Sequence, residues 1–135
     1  MTSPTGGRVL LDTTVLIDAL RGRPAAGRLR ALREAGADPY VCAINVEEIF
    51  RGLRPGEDDA AAKLFTGLRL AVLGQEEGER AGTWRREFAA TGLTLAQADC
   101  LVAAAAAAVG ARLATGNPKD FPMRDLTVEH WPVGL

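Results

Sequence analysis

Short apolar runs alternate with segments of helical spacing along almost the whole chain, and this alternation leaves few folds open. Arg8-Val9-Leu10-Leu11 ends at Asp12, after which Val15, Leu16, Ala19 and Leu20 recur on one helix face. Pro39-Tyr40-Val41-Cys42-Ala43-Ile44 gives way at Asn45 to a helix through Leu53, and its β-branched and aromatic content favours a strand. Leu70-Ala71-Val72-Leu73-Gly74 precedes a helix over residues 75–90, in which Trp84 and Phe88 stand four apart. A fourth strand is predicted at Ala111-Arg112-Leu113-Ala114-Thr115, ahead of the turn Gly116-Asn117-Pro118, and a last short one within residues 126–130. Two further helices fall at residues 25–35 and 58–68. Thr94-Leu95-Ala96-Gln97 has the form of a capping box, with Thr94 as N-cap and Gln97 at the third helical position. The helix it opens runs to Val109 and is alanine throughout residues 103–108, small enough to lie close against a sheet. The pattern predicts an α/β fold with a central, mostly parallel sheet of four to five strands and helices on both faces. A chain of 135 residues holds one such domain, 1–135, with residues 1–7 as a disordered tail.

Residue counts exclude several chemistries. The only serine is Ser3 and the only histidine is His130, so a Ser-His-Asp or Cys-His hydrolase has no parts to work with. Neither GxGxxG after a strand nor GxxxxGK[ST] occurs. Sixteen basic against seventeen acidic side chains leave a net charge of −1, which argues against a uniformly basic nucleic-acid binder. Cys42 and Cys100 sit singly in apolar runs, as reduced core thiols of a cytoplasmic protein do. The most apolar stretch, residues 101–109, is far short of the roughly 20 residues a membrane span needs.

What remains in quantity is carboxylate. Parallel sheets gather function at the carboxyl ends of their strands. Asp12 closes the first strand, Glu48 lies in the first turn of the helix after the second, Asp99 lies early in the alanine-rich helix, and Asn117 and Asp120 follow the fourth strand. Simpler roles compete. Asp12 can N-cap the following helix, and Asn45-Val46-Glu47-Glu48 also reads as a capping-box variant. Asn117-Pro118 is a turn formula, and Asp120 can be a surface acid. Asp99 already has Thr94 as a capping neighbour, and among Leu95, Ala98, Leu101 and Val102 its charge needs a partner or a cation. Asp18 is placed to pair with Arg21 at i,i+3 and Glu47 faces away from Glu48, so both are expected in solvent. Cys100 points about 100° away from Asp99 on the helix and is no ligand.

Taken in order, Asp12-Thr13-Thr14-Val15-Leu16-Ile17-Asp18, Glu48-Ile49-Phe50-Arg51-Gly52, Asp99-Cys100-Leu101-Val102-Ala103-Ala104 and Thr115-Gly116-Asn117-Pro118-Lys119-Asp120-Phe121 resemble the successive motifs of PIN-domain ribonucleases, above all the VapC toxins of bacterial VapBC toxin–antitoxin systems. The resemblance runs from Val9 to Trp131. It implies an acidic cluster that binds Mg²⁺, with Mn²⁺ as a substitute, and hydrolyses RNA. Asp12 matches the first family acid, Glu48 the second and Asp99 the third. The fourth position falls on Asn117, an amide that many VapC-like sequences share, with Asp120 three residues on. The resemblance also implies a VapB-type antitoxin and a homodimer as partners, while the shortness of the apolar stretches implies no membrane.

Physical chemistry points the same way. Crowded carboxylates share protons or bind a cation, and Mg²⁺ takes one or two carboxylates plus waters and substrate phosphate. Asp12 and Asp99 are the expected metal ligands, with Glu48 completing the shell or orienting the attacking water, and attack by water yields 5′-phosphate and 3′-hydroxyl ends. Thr13 or Thr14 can add a hydroxyl. Arg21, Arg23, Arg28, Arg30 and Arg33, with Arg51, Arg54 and Lys119, are candidates for holding RNA or are simply solvated. Two other readings stay open: a PIN-like module that binds RNA or a partner without cutting, and an aspartate-nucleophile phosphotransferase, which usually wants a second acid where Thr14 stands.

Overall fold

A computed structural model describes residues 6–134. Five strands, β1 (Arg8–Leu11), β2 (Asp38–Cys42), β3 (Arg69–Ala71), β4 (Arg112–Thr115) and β5 (Val128–His130), form one sheet in the order β3-β2-β1-β4-β5. Every pairing is parallel, with Val9 opposite Pro39 on one side and Arg112 on the other. The helices are α1 (Thr13–Leu20), α2 (Pro24–Glu34), α3 (Ala43–Arg51), α4 (Asp58–Thr66), α5 (Gln75–Ala90) and α6 (Gln97–Ala108). From β1 the chain steps outward to β2 and β3, then returns across the sheet to β4 on the other side. Strand order therefore reverses between β1 and β4, and in open parallel sheets that crevice at the carboxyl ends is where ligands bind.

Side chains alternate across each strand, so β1 supplies both cores. Leu10 faces Tyr40, Cys42, Leu113 and the helix pair α5–α6. Val9 and Leu11 face α1 and α2 through Val15, Leu16, Leu29 and Leu32, with Ile49 and Trp131 completing that side. Helix α6 is almost wholly enclosed: Cys100, Val102 and the four alanines that follow are buried. Residues of this size let a helix lie close to its neighbours while alanine keeps its propensity high. Both cysteines are free and buried.

Four local expectations change. Helix α6 begins at Gln97 with Ala96 as N-cap, and Thr94 lies outside it, so the capping-box reading fails. Helix α3 begins at Ala43, two residues earlier than expected; Asn45 occupies its third position, and its Oδ1 accepts from the Cys42 backbone N–H at 2.9 Å. Asn45 is thus the residue that reaches back, not the cap itself. Strand β3 ends at Ala71, leaving Val72 70% exposed. Asp18 is not in solvent. It is 2% exposed and accepts from the Ala25 N–H at 2.9 Å, because the turn at Gly22, with φ +67°, brings the first orphan N–H groups of α2 over it. Arg21 pairs with Glu57 instead. Of the expected tail, residues 1–5 lie outside the described residues, while the Gly7 carbonyl accepts from Asp38 N–H.

The close packing of α6 carries a prediction. Ala105→Leu, at a site with no exposure, is expected to lower unfolding free energy by about 1–3 kcal/mol, read by urea denaturation, whereas the same change at exposed Ala90 is expected to leave it unmoved.

Candidate active site

Asp12 is the first residue past β1, in the reversal crevice, and is 7% exposed. It is the backbone N-cap of α1, yet its side chain makes no capping bond. Its Oδ2 instead accepts from the hydroxyls of Thr14 at 3.1 Å and Thr115, the last residue of β4, at 2.8 Å. Each hydroxyl is itself oriented by a backbone donor. Gly116 N–H donates to Thr14 Oγ1 at 2.9 Å, and Asn117 N–H donates to Thr115 Oγ1 at 3.0 Å. An oxygen that accepts from an N–H in this way turns its own proton toward the remaining acceptor, here the carboxylate.

Glu48 is held by the same device. Asn45, fully buried, donates from Nδ2 to Thr13 Oγ1 at 3.2 Å, and Thr13 Oγ1 donates to Glu48 Oε1 at 2.6 Å. Glu48 is therefore not a helix cap. Asp99, in the first turn of α6, is half-buried, and Asp120 stands on a single 3-10 turn, Pro118–Asp120, behind β4. Asn117 is exposed and contributes its backbone to the site.

These acids lie close enough to act on one another through their charge. Burial pushes the Asp99 carboxyl up to about 6, and the negative charges of Asp12, Asp120 and Glu48 add to the effect. Burial also raises Asp12; the Thr115 hydroxyl, the Thr13 amide and the Thr14 hydroxyl oppose this, and Glu48 reinforces it. Among the described residues none of the ion pairs involves Asp12, Glu48, Asp99 or Asp120. Arg51 pairs with Glu47 at 3.0 Å while also feeling the charge of Glu48, and Arg28 donates to the Pro132 carbonyl at 2.7 Å. Arg23, Arg30, Arg54 and Lys119 project into solvent.

Hard oxygen donors with unbalanced charge suit a divalent cation. Among the described residues no three acidic, histidine or cysteine side chains close into a cage.

Two participants escape a reading of the sequence by residue type. Thr115 is an ordinary strand residue until β4 is set beside β1, and Asn45 looks like a cap until α3 is seen to start at Ala43. The signal available was position: both are polar residues at the carboxyl ends of apolar runs.

The PIN domain family matches residues 9–124. Ribonuclease VapC19 of Mycobacterium tuberculosis is 31% identical over 115 residues, 84% of this chain and 92% of that protein. VapBC2 from Rickettsia felis, solved bound to a DNA fragment from its promoter, has a TM-score of 0.79 at 23% identity over 92% of this chain and 98% of that one. A toxin–antitoxin complex from Klebsiella pneumoniae has a TM-score of 0.73 at 23% identity, covering 94% of this chain and 99% of that one. The two structural likenesses are likenesses of fold.

Two outcomes follow from the geometry. Folded Asp99 keeps its proton up to about pH 6, whereas its ordinary value is 3.8; between these the folded state binds more protons, so stability falls as pH rises through that window. In EDTA the melting temperature is expected to drop from pH 4 to pH 6.5, and Asp99→Asn to flatten the drop and melt higher at pH 7; the half-exposure of Asp99 trims the effect. Thr13→Val, which strands both Asn45 Nδ2 and Glu48 Oε1, is expected to cost about 1–3 kcal/mol, measured by denaturant titration, with Thr13→Ser near the native value.

Proposed function

Because this chain belongs to the PIN domain family, among its VapC members, we propose that it is a Mg²⁺-dependent endoribonuclease, the toxin of a toxin–antitoxin pair. The observation that carries this reading is the set of unpaired carboxylates, Asp12, Glu48 and Asp99, facing the strand-order reversal at the carboxyl edge of the sheet. Mn²⁺ is the expected substitute for Mg²⁺.

Asp12 and Asp99 would hold the cation. When bound, such a cation lowers the pKa of a coordinated water and offsets charge on the phosphate. The chain's own residues supply the rest. Thr14 and Thr115 donate to Asp12 Oδ2 and hold that carboxyl in place. Glu48, aimed by Thr13, is the base that draws the proton from the attacking water. Asn117 fixes the turn beside the site through its N–H, and Asp120 adds negative charge at its rim. Water as nucleophile leaves a 5′-phosphate and a 3′-hydroxyl.

The partners follow from the same reading. Relatives solved as toxin–antitoxin complexes support a VapB-type antitoxin, and a homodimer is the expected assembly. No helix among the described residues is long and apolar enough to cross a membrane, and the cytoplasm is the expected compartment.

Purified protein free of antitoxin, incubated with total bacterial RNA, is expected to give discrete fragments with Mg²⁺ or Mn²⁺ and none with EDTA. Asp99→Asn is expected to reduce cleavage by at least about 100-fold, and end-labelling to find 5′-phosphates. Fragments ending in 2′,3′-cyclic phosphate would contradict the mechanism. RNA bound but uncut in every condition would select the binding module.

A further inference from the structure

Asp18 does no work in the reaction described above, yet it is a carboxylate with 2% exposure. Its two oxygens take separate partners: Oδ2 accepts from Ala25 N–H at 2.9 Å, and Oδ1 accepts from Gly134 N–H at 2.9 Å. The second bond spans 116 residues of sequence and pins the segment after β5 onto the α1–α2 turn. Arg28 clamps the same segment from α2, donating to the Pro132 carbonyl at 2.7 Å. At its start, Trp131 N–H donates to the Thr115 carbonyl at 2.8 Å, and the indole is buried.

Between these fastenings Val133 lies across Gly116. A Cβ built on Gly116 would stand 2.7 Å from Val133 Cγ2 and 3.2 Å from Cγ1. Any larger residue at Gly116 would thus displace the Val133 side chain, and space rather than φ, which is not positive, is what favours glycine here. Gly116 in turn donates to Thr14 Oγ1, and Thr14 donates to Asp12 Oδ2. One continuous series of contacts runs from a buried acid on the far end of α1 to the metal-binding edge.

We propose that residues 131–134 form a brace, locked by Asp18 and Arg28, that presses Val133 onto Gly116 and so holds Thr14 and Thr115 in the orientation that aims Asp12; Asp18 is a positioning residue for the site. The part of this that concerns catalysis rests on the ribonuclease reading. The part that concerns the turn does not.

The test uses the full chain carrying Val133→Ala or Asp18→Asn. Val133 is 38% exposed, so its truncation spares the fold, and it decides alone if Asp18→Asn fails to fold. In cation-free, RNA-free protein, hydrogen exchange at the Gly116 amide is expected to quicken about tenfold in either variant while the amides of β1 keep their rates. In Mg²⁺ with RNA, kcat is expected to fall about tenfold with KM held within about twofold. Unchanged exchange at Gly116 would overturn the brace, as would faster exchange with an unaltered kcat. A lowered melting temperature with both readouts native would mark Asp18 as structural only, and the proposal as wrong. Should the native protein cut no RNA, the ribonuclease reading fails, and Gly116 exchange together with the Mn²⁺ dissociation constant, expected about tenfold weaker in Val133→Ala, decides the brace.

Discussion

Asp12, Glu48 and Asp99 come together with none of the ion pairs among the described residues to balance them, and the rest of the site is arranged around that repulsion. Three threonine hydroxyls face two of the carboxylates, and each hydroxyl is turned by an N–H donor behind it: Gly116 behind Thr14, Asn117 behind Thr115, Asn45 behind Thr13. Neutral donors stabilise the anions without cancelling their field, as an arginine would. Asp99 has no such hydroxyl among the described residues, and it is the carboxyl pushed up to about 6. Burial raises Asp12 as well, but there the Thr115 and Thr14 hydroxyls and the Thr13 amide oppose it, whereas every influence on Asp99 acts upward.

The fold produces this arrangement by topology and by close packing. Returning the chain from β3 to β4 across β1 places Thr115 beside Asp12, and the parallel register sets Leu11 opposite Ala114 so that the residues after each meet. The buried alanines of α6 bring that helix against the sheet with little side chain between, which sets its first turn, and Asp99 with it, near the carboxyl edge. Behind the edge, Val133 takes the space over Gly116 that any larger residue would fill. Glycine and alanine here do positional work: Gly116 leaves room for the Val133 side chain, and the alanines let α6 lie close to its neighbours.

Much of this was legible from residue order. The alternation of strand and helix gave a parallel sheet, and Asp12 and Asp99 were marked by their places at a strand end and among apolar neighbours. Asn117 was marked too, although only its backbone takes part in the hydrogen bonds that fix Asp12. Other features depended on partners distant in sequence. Asp18 and Arg21 have the spacing of a helical ion pair, but a turn and the segment after β5 cover Asp18 and supply two N–H donors, while Glu57 from α4 claims Arg21. Thr94 has the spacing of a cap, but Ala96 is still extended and α6 begins only at Gln97. Local rules place caps and pairs correctly only where no tertiary contact competes for the same group.

If Asp12 and Asp99 hold one cation, as proposed, Asp99 gives up its proton as the cation enters. Calorimetric titration of Mn²⁺ into the native protein and into Asp99→Asn, run at pH 6 and pH 8 in buffers of different ionisation heat, counts protons released on binding. Saturable binding is expected, with proton release at pH 6 that shrinks at pH 8 and is diminished in the variant. Absent binding, or equal release from both proteins at pH 6, would contradict that proposal.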